Sequence, residues 1–500
     1  MGSPQPTCHS YQRRQPELTP CYKIVQAEFE TFRQERELEG GPLPQYVTDE
    51  FEAYLKCGIL AHGFLRLLCP DCKHEKITAF SCKKRGFCPS CTGRRQAEAA
   101  AHLVDHILPF LPYRQFVITF PFPLRYWINT NKQLFSSIHS IITLQIQAFY
   151  TQKTSINKHL RPQAGVISFT QRWGSALNLN PHLHIIVTDG VHYRPHQPLF
   201  RKARRITDQE VATILTNIAL SVMELLKEQG YLSKEGEIIH NPLADPLFQE
   251  FHCIDMATKA SLAGRIAFGP NAGQKVTRIG GGFGYREEIP LAKGKLCFAM
   301  NGFSLHAARS INTQNRKGLE QLISYIARGP FSNKRLTLLP GRKVQLSLKR
   351  PYSDGTSHIL MTYGEFLEKL TALIPPPKSH LVRWSGSFAP NSKYRKKIIL
   401  NPEQLKGFHF DQDEEEKPRK NYKWAELLAR VFGIDVLKCP CGGELKPVAA
   451  LKDPREITRY LKHVGIEHLP PSRAPPRTQV HYMDFEHEEG GYEEPVVCYD

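Results

Sequence analysis

Apolar and polar positions alternate along "RQFVITFPFPL" (114–124) and "AGVISFTQRWG" (164–174), with β-branched and aromatic residues at the apolar places. A period of two predicts a strand in each. "HLHIIVTDGVHY" (182–193) reads as a third strand, and Asn178, Asn180 and Pro181 before it form a turn, so the second and third pair as antiparallel neighbours. "KLCFAMNGFSLHAARSI" (295–311) reads as one more strand. Elsewhere the period lengthens. "RRQAEAAAHLVDHILPFL" (94–111) places Leu103, Ile107 and Leu111 at helical spacing, and Pro112 stops it. Further helices read over about 207–230, 315–330 and 364–373. In the second of these Leu319, Leu322, Ile323 and Ile326 share one face, Tyr325 lies on its margin, and Gly329-Pro330 end the helix.

The first departure from these patterns is a run of cysteines. "CPDCKHEKITAFSCKKRGFCPSC" holds two C-x-x-C pairs, Cys69/Cys72 and Cys88/Cys91, and one further thiol, Cys82. Two thiolate pairs complete a tetrahedron, so Zn²⁺ on Cys69, Cys72, Cys88 and Cys91 is the expectation, with Cys57, His74 and Cys82 as other possible ligands. Lys73, Lys76, Lys83, Lys84, Arg85, Arg94 and Arg95 surround the knuckles and make a phosphate-facing surface. The net charge of +18 points the same way, to a polyanionic partner. No run approaches 18 uninterrupted apolar residues, and "MGSPQPTCHSYQRR" has neither the apolar core of a secretory signal nor a hydroxyl residue at position 6 for myristoylation. The expectation is a soluble, cytosolic protein that faces DNA or RNA, with no membrane partner. The glycines of "RIGGGFGYREE" are not a phosphate loop, because no Lys-Ser/Thr follows. His102 and His106, four apart, read as helix-surface residues.

His182 and His184 carry the second chemical signal. A lone His-x-His reads equally as two imidazoles on the wetter face of a sheet. Period two sets both on one side, however, where they hold a divalent cation if an oxygen donor joins them. Gln171 on the neighbouring strand is best placed for that, with His306 or Asp189 next. A metal there polarises a phosphodiester, and the Tyr325 hydroxyl can attack it. Arg328, Arg172 and Arg335 are candidates to clamp phosphate oxygens. The run "HLVRWSGSFAPNSKYRKK" (380–397) mixes Trp384, Phe388 and Tyr394 with Arg395 and other cations, the composition of a single-strand channel.

On "SCKKRGFCPSCTGRR", "ITFPFPLRYW", "TQRWGSALNLNPHLHIIVTDGV", "NGFSLHAARS", "LEQLISYIARGPFSNKRL" and "WAELLARVFGIDVLKCPCGGEL", which span most of residues 50–450, the chain resembles the HUH (His-hydrophobe-His) rolling-circle transposases of bacterial insertion sequences, near the ISCR or common-region branch. The resemblance implies an α+β fold: an HUH nuclease core, meaning an antiparallel sheet with flanking helices, preceded by a small zinc-binding domain and followed by a basic C-terminal region. It implies Mg²⁺ or Mn²⁺ at His182 and His184, Tyr325 as nucleophile, a 5′-phosphotyrosine intermediate, and single-stranded DNA at element termini as partner. Some relatives carry two tyrosines four apart; here the flanking positions are Gln321 and Gly329, so this is a one-tyrosine version. Relatives look like C-x-x-C at "CPCGG", but Cys439 and Cys441 are only one residue apart. A plasmid replication initiator or relaxase, or a non-catalytic zinc-dependent DNA-binding protein, are the alternatives. The division expected is a polar, frayed or partly helical segment (1–45), a zinc-binding domain (46–98), the HUH core (99–345), a DNA-contacting extension (346–425), a small helical or zinc-ribbon-like unit (426–468) and a disordered acidic tail (469–500), with a charged linker at 411–420.

Overall fold

Residues 20–39 look polar because charges fill one side, yet Ile24, Val25, Phe29 and Phe32 fall on the other and are buried. In the computed structural model of the chain, which describes residues 14–39, 41–239, 246–279, 292–352, 354–399, 424–432 and 436–477, this segment is helix α1 (Pro20–Glu39). Within the frayed or partly helical segment expected over 1–45, residues 20–39 are helical. Helix α2 (Gln45–Lys56) follows, then the hairpin β1 (Phe64–Leu68) and β2 (Glu75–Ala79). Helix α3 (Pro89–His102) starts inside the second cysteine knuckle, not at residue 94, because Cys88 is its N-cap and Pro89 is preorganised for the first turn. It runs on through a π-helical turn, Leu103–Ile107.

Next come β3 (Tyr113–Thr119), α4 (Phe122–Thr130), α5 (Lys132–Thr154), β4 (Gly165–Trp173) and β5 (Leu179–Thr188). "PFPLRYW" therefore opens a helix, where the strand reading extended to 124: Pro121 caps it and Pro123 stands in its first turn. Beyond β5 the chain turns at Asp189 into β6 (Gly190–Tyr193), which pairs with β7 (Leu199–Lys202). Helix α6 (Asp208–Glu228) is set by a Thr207/Glu210 capping box. By length and composition alone it would cross a membrane. Its Val211, Ile214, Leu215, Ile218 and Val222 are instead buried in the core with residues of α5.

Helices α7 (Pro246–Glu250) and α8 (His252–Ala263) lead to β8 (Thr277–Ile279) and β9 (Ala292–Gly294). The strand expected over 295–311 is a hairpin, β10 (Cys297–Met300) and β11 (Phe303–His306), plus β12 (Ser310–Ile311). Asn301 and Gly302, both at positive φ, make its turn. Helix α9 (Arg316–Ile326) has Asn315 as N-cap. Strands β13 (Leu336–Leu339), β14 (Lys343–Ser347) and β15 (His358–Thr362), helix α10 (Tyr363–Leu373), β16 (Val382–Gly386) and α11 (Arg395–Ile398) complete this region. Last come α12 (Trp424–Phe432), β17 (Lys446–Leu451) and α13 (Pro454–His463).

The strands form an antiparallel sheet in the order β16-β4-β5-β3-β11-β10-β9, with β12 beside β3. One face is covered by α4, α5 and α6 through Phe116, Ile118, Leu183 and Ile185. The other receives α9 and the π-turn on Ile167, Phe169 and Ile186. A second sheet, β13-β14-β15-β8, shares a core with α1, α8 and α10. The third is β17-β1-β2: the C-terminal strand completes the sheet of the first cysteine hairpin. Residues 426–468 are therefore not a free-standing unit. Arg473 and Arg477, expected in the tail, pair with Glu52, Glu30 and Glu28 of the N-terminal helices. The linker 411–420, the "GGGFG" run and the acidic stretch from 478 lie outside the described residues.

Candidate active site and metal centres

His182 and His184 stand on the β5 face that receives α9, with ring centroids 5.0 Å apart. Cross-strand register places Gln171 directly opposite His182 on β4, and Thr119 opposite it on β3. The expected trio, His182, His184 and Gln171, thus shares one face. The histidines are held differently. His182 Nδ1 lies 2.7 Å from the Asn180 carbonyl, which only accepts, so Nδ1 carries the proton and Nε2 keeps its lone pair. His184 Nδ1 lies 2.8 Å from the Gln115 side-chain amide. The Gln115 Nε2–H faces that nitrogen; the opposite amide rotamer, with its oxygen toward the ring, would set the same tautomer as in His182. Burial, with the Arg328 charge adding to it in both, lowers the pKa of His182 and takes that of His184 down to about 3, so both rings are neutral and fit to ligate at physiological pH. The Gln171 amide N–H donates to the Ile326 carbonyl at 2.8 Å, satisfying an orphan acceptor at the end of α9. Its amide oxygen is the donor that suits a hard cation.

Tyr325 is about half exposed (47%), while Leu319, Leu322, Ile323 and Ile326 of the same helix are buried. Its ring meets His184 edge-on at 6.3 Å between centroids. The Arg328 guanidinium lies 4.3 Å from the centre of that ring and the Lys349 ammonium 5.8 Å. Helix α9 is fixed against the zinc module: Gln96 donates to Ser324 at 2.8 Å, and Arg316 reaches the Val104 and Pro109 carbonyls. Gly329 follows at a close approach, where a Cβ would stand 2.4 Å from Thr92 Oγ1 of α3.

Other sequence candidates fall elsewhere. Arg172 sits at a β-bulge, is buried, and donates to the Ala372 carbonyl at 3.2 Å; burial depresses its pKa to about 10. One residue past Gln171, it turns to the opposite face and is withdrawn from DNA. Asp189 is bound by Arg114 at 3.1–3.2 Å and by the Tyr150 hydroxyl at 2.9 Å, so it is no reserve ligand. His306 pairs with Val117, two strands from β5. Arg335 is engaged by the Ser347 and Ser175 carbonyls at 2.7 Å. In the run 380–397, Phe388 and Tyr394 are core residues and β16 is an edge strand, so these two rings offer bases nothing. Trp384 and Arg395 remain partly exposed and stack on each other at 4.6 Å. Sequence reasoning missed Gln115 and Lys349. Gln115 was legible: in "RQFVIT", Gln115, Val117 and Thr119 share the face of the histidines.

The four-cysteine site expected on Cys69, Cys72, Cys88 and Cys91 does not form. Cys57, Cys82, Cys88 and Cys91 converge instead, with sulfurs 3.3–3.7 Å apart along the closest pairs. A tetrahedral zinc with bonds of about 2.3 Å has sulfur–sulfur edges of about 3.8 Å, so these residues fit the ion. Hydrogen bonds from the Cys82, Cys88 and Cys91 thiols, with the Cys82 N–H also pointing at the sulfur, pull the Cys57 thiol well down toward thiolate. Cys69 and Cys72 lie at the far end of the β1–β2 hairpin, roughly 15 Å along strands that rise ~3.4 Å per residue. The two knuckles are close in sequence and kept apart by that hairpin. At its tip Cys69 and Cys72 meet Cys439 and Cys441.

Two family models match. Residues 24–120 match Zn_Tnp_IS91, a "Transposase zinc-binding domain", and residues 165–396 match Y2_Tnp, described as "Putative transposase". The first contains the Cys57 centre and Gln115; the second contains Gln171, both histidines and Tyr325. A stretch of 155 residues is 27% identical to the transposase for insertion sequence element IS801 of Pseudomonas savastanoi pv. phaseolicola, covering 31% of this chain and 36% of that protein. No solved structure matches. A transposase zinc-binding domain leading into a Y2_Tnp domain and an insertion-sequence transposase similar across part of the chain's length together support placing the chain with the IS91-type transposases.

Proposed function

We propose that the protein is a rolling-circle transposase that nicks and rejoins single-stranded DNA through a 5′-phosphotyrosine on Tyr325. The observation that carries this reading is the half-exposed Tyr325 ring edge-on to His184, beside His182 and Gln171 and under Arg328. His182, His184 and Gln171 would hold Mg²⁺ or Mn²⁺, which supplies Lewis-acid polarisation of the phosphodiester when bound.

The protein's own groups do the rest. Burial keeps the imidazoles neutral, and Gln115 and the Asn180 carbonyl hold their rings in place. Arg328 and Lys349 lie against the tyrosine ring, where their charges would neutralise the phosphoryl oxygens of a phosphodiester brought to the hydroxyl. The Tyr325 oxygen forms a bond to phosphorus as the bond to the 3′ oxygen breaks. The phenol proton is lost to solvent, and the 3′ oxygen leaves as a hydroxyl. One phosphodiester replaces another, so rejoining needs no outside energy source.

The position four after Tyr325 is closed to a second tyrosine, since Thr92 occupies the space beside Gly329. A single-tyrosine cycle follows, with the released 3′-OH as the group that later attacks the phosphotyrosine. The test is to incubate the protein with labelled single-stranded terminus DNA and Mg²⁺. Wild type should give a nick and a covalent adduct, and His182→Ala should give neither while still binding DNA. Nicking by the His182→Ala variant at the wild-type rate would overturn the reading.

A further inference from the structure

Cys69, Cys72, Cys439 and Cys441 place four sulfurs within 4.8 Å of one another, with Cys72 3.4 Å from Cys439 and Cys69 3.7 Å from Cys441. We infer that they bind a second zinc ion, which clasps the C-terminal segment onto the first hairpin and so across the helix that carries Tyr325.

Both halves are shaped as knuckles. On the N-terminal side the Asp71 and Cys72 N–H groups point at the Cys69 sulfur, the Lys73 N–H returns to the Cys69 carbonyl at 3.0 Å, and Lys73 takes positive φ. On the C-terminal side the Gly443 N–H points at Cys441 Sγ at 3.5 Å, the Gly442 N–H returns to the Cys439 carbonyl at 2.9 Å, and Gly442 takes positive φ. Gly443 is needed for the halves to meet, since a Cβ there would stand 2.3 Å from Asp71 Oδ2 and 3.1 Å from Cys69 Sγ. The one-residue spacing of Cys439 and Cys441 is no obstacle, because the second pair comes from the other end of the chain.

What the clasp holds gives it a role. Strand β17 pairs with β1, and α13 covers Leu60 and Phe64 through Ile457 and Leu461. Helix α12, on the same segment, sends Arg430 to Asp105 at 3.0–3.1 Å and to Glu320 of α9 at 3.1–3.3 Å. One arginine thus ties the C-terminal segment to the π-turn and to the helix of Tyr325. Only this last consequence rests on the nuclease reading; the metal site does not.

The experiment counts zinc in the full chain and maps thiol reactivity. Wild type should hold two zinc ions per chain, and the Cys439→Ser, Cys441→Ser double variant should hold one. Cys72 and Cys441 are exposed, so as free thiols they would alkylate rapidly. In the zinc-loaded wild type they should resist iodoacetamide and become reactive together on chelation, a readout that needs no variant to fold. One zinc per wild-type chain, two in the double variant, rapid alkylation of Cys72 and Cys441 before chelation, or a disulfide between the two knuckles in the protein as purified would each overturn the inference.

Discussion

At the level of single residues the site depends on second partners as much as on ligands. Gln115 holds His184 through one hydrogen bond, and among the described residues no other group is bonded to that ring's Nδ1. Gln115→Leu should therefore raise the divalent-ion concentration needed for half-maximal cleavage by about 10–100-fold, with thermal stability changed much less. An unchanged metal requirement would show that Gln115 merely packs. Burial also gives the histidines a signature in stability. His139 and His192 are held down to about 4, and His184 to about 3, against an ordinary value of about 6.5. The folded values are depressed, so the unfolded chain takes up protons first. The stability these residues secure is whole above about pH 6.5 and is lost as pH falls toward 4. Glu368, pushed up to about 7 by burial, opposes this together with Glu35 and Glu50, while His62, His102 and His182, also lowered by burial, add to it. The melting midpoint should fall between pH 6.5 and 4.5; a flat midpoint would contradict the burial argument.

At the level of elements, periodicity located strands β3, β4 and β5 and helices α3, α6, α9 and α10, where one face is buried, and left many others unread, the long α5 among them. Strands β4 and β5 and helices α6 and α10 lie within a few residues of their expected ends, and the Thr207/Glu210 and Thr362/Glu365 capping boxes explain why. The misreadings have local causes. Prolines in "PFPLRYW" looked like strand neighbours and are helix starters, and α1 hides its apolar face among charges. The cysteine assignment failed because sequence distance was taken for spatial distance, and a hairpin of two five-residue strands separates the knuckles. The spare Cys57 and Cys82 were the available signal. Cys82→Ser should thus cost one zinc and loosen α3, measurable as lost metal and faster amide exchange in 89–102. Full zinc content in that variant would restore the original ligand choice. The meeting of α9 with α3 is a tertiary fact that no periodicity encodes. Gly329→Tyr, made to install a second tyrosine, should instead lift the end of α9 off Thr92, with cleavage reduced at least about tenfold; a fully active variant would show that the end of α9 is free.

Over the whole molecule, the two ends of the chain converge on the zinc module. Residues 436–477 complete its sheet and pair with α1 and α2, and the module in turn carries the helix of the proposed nucleophile. On the proposed reading, the excess of positive charge draws polyanions to the assembly and the histidine face supplies the chemistry at one point on it. The measurement that tests this most directly is mass spectrometry of the adduct formed on single-stranded terminus DNA with Mg²⁺. The account predicts a nucleotide mass on the peptide containing Tyr325, and its loss in Tyr325→Phe with zinc content, fold and DNA binding kept. An adduct that persists in the Phe variant and maps to another tyrosine, or no adduct from wild type with any divalent ion, would contradict it.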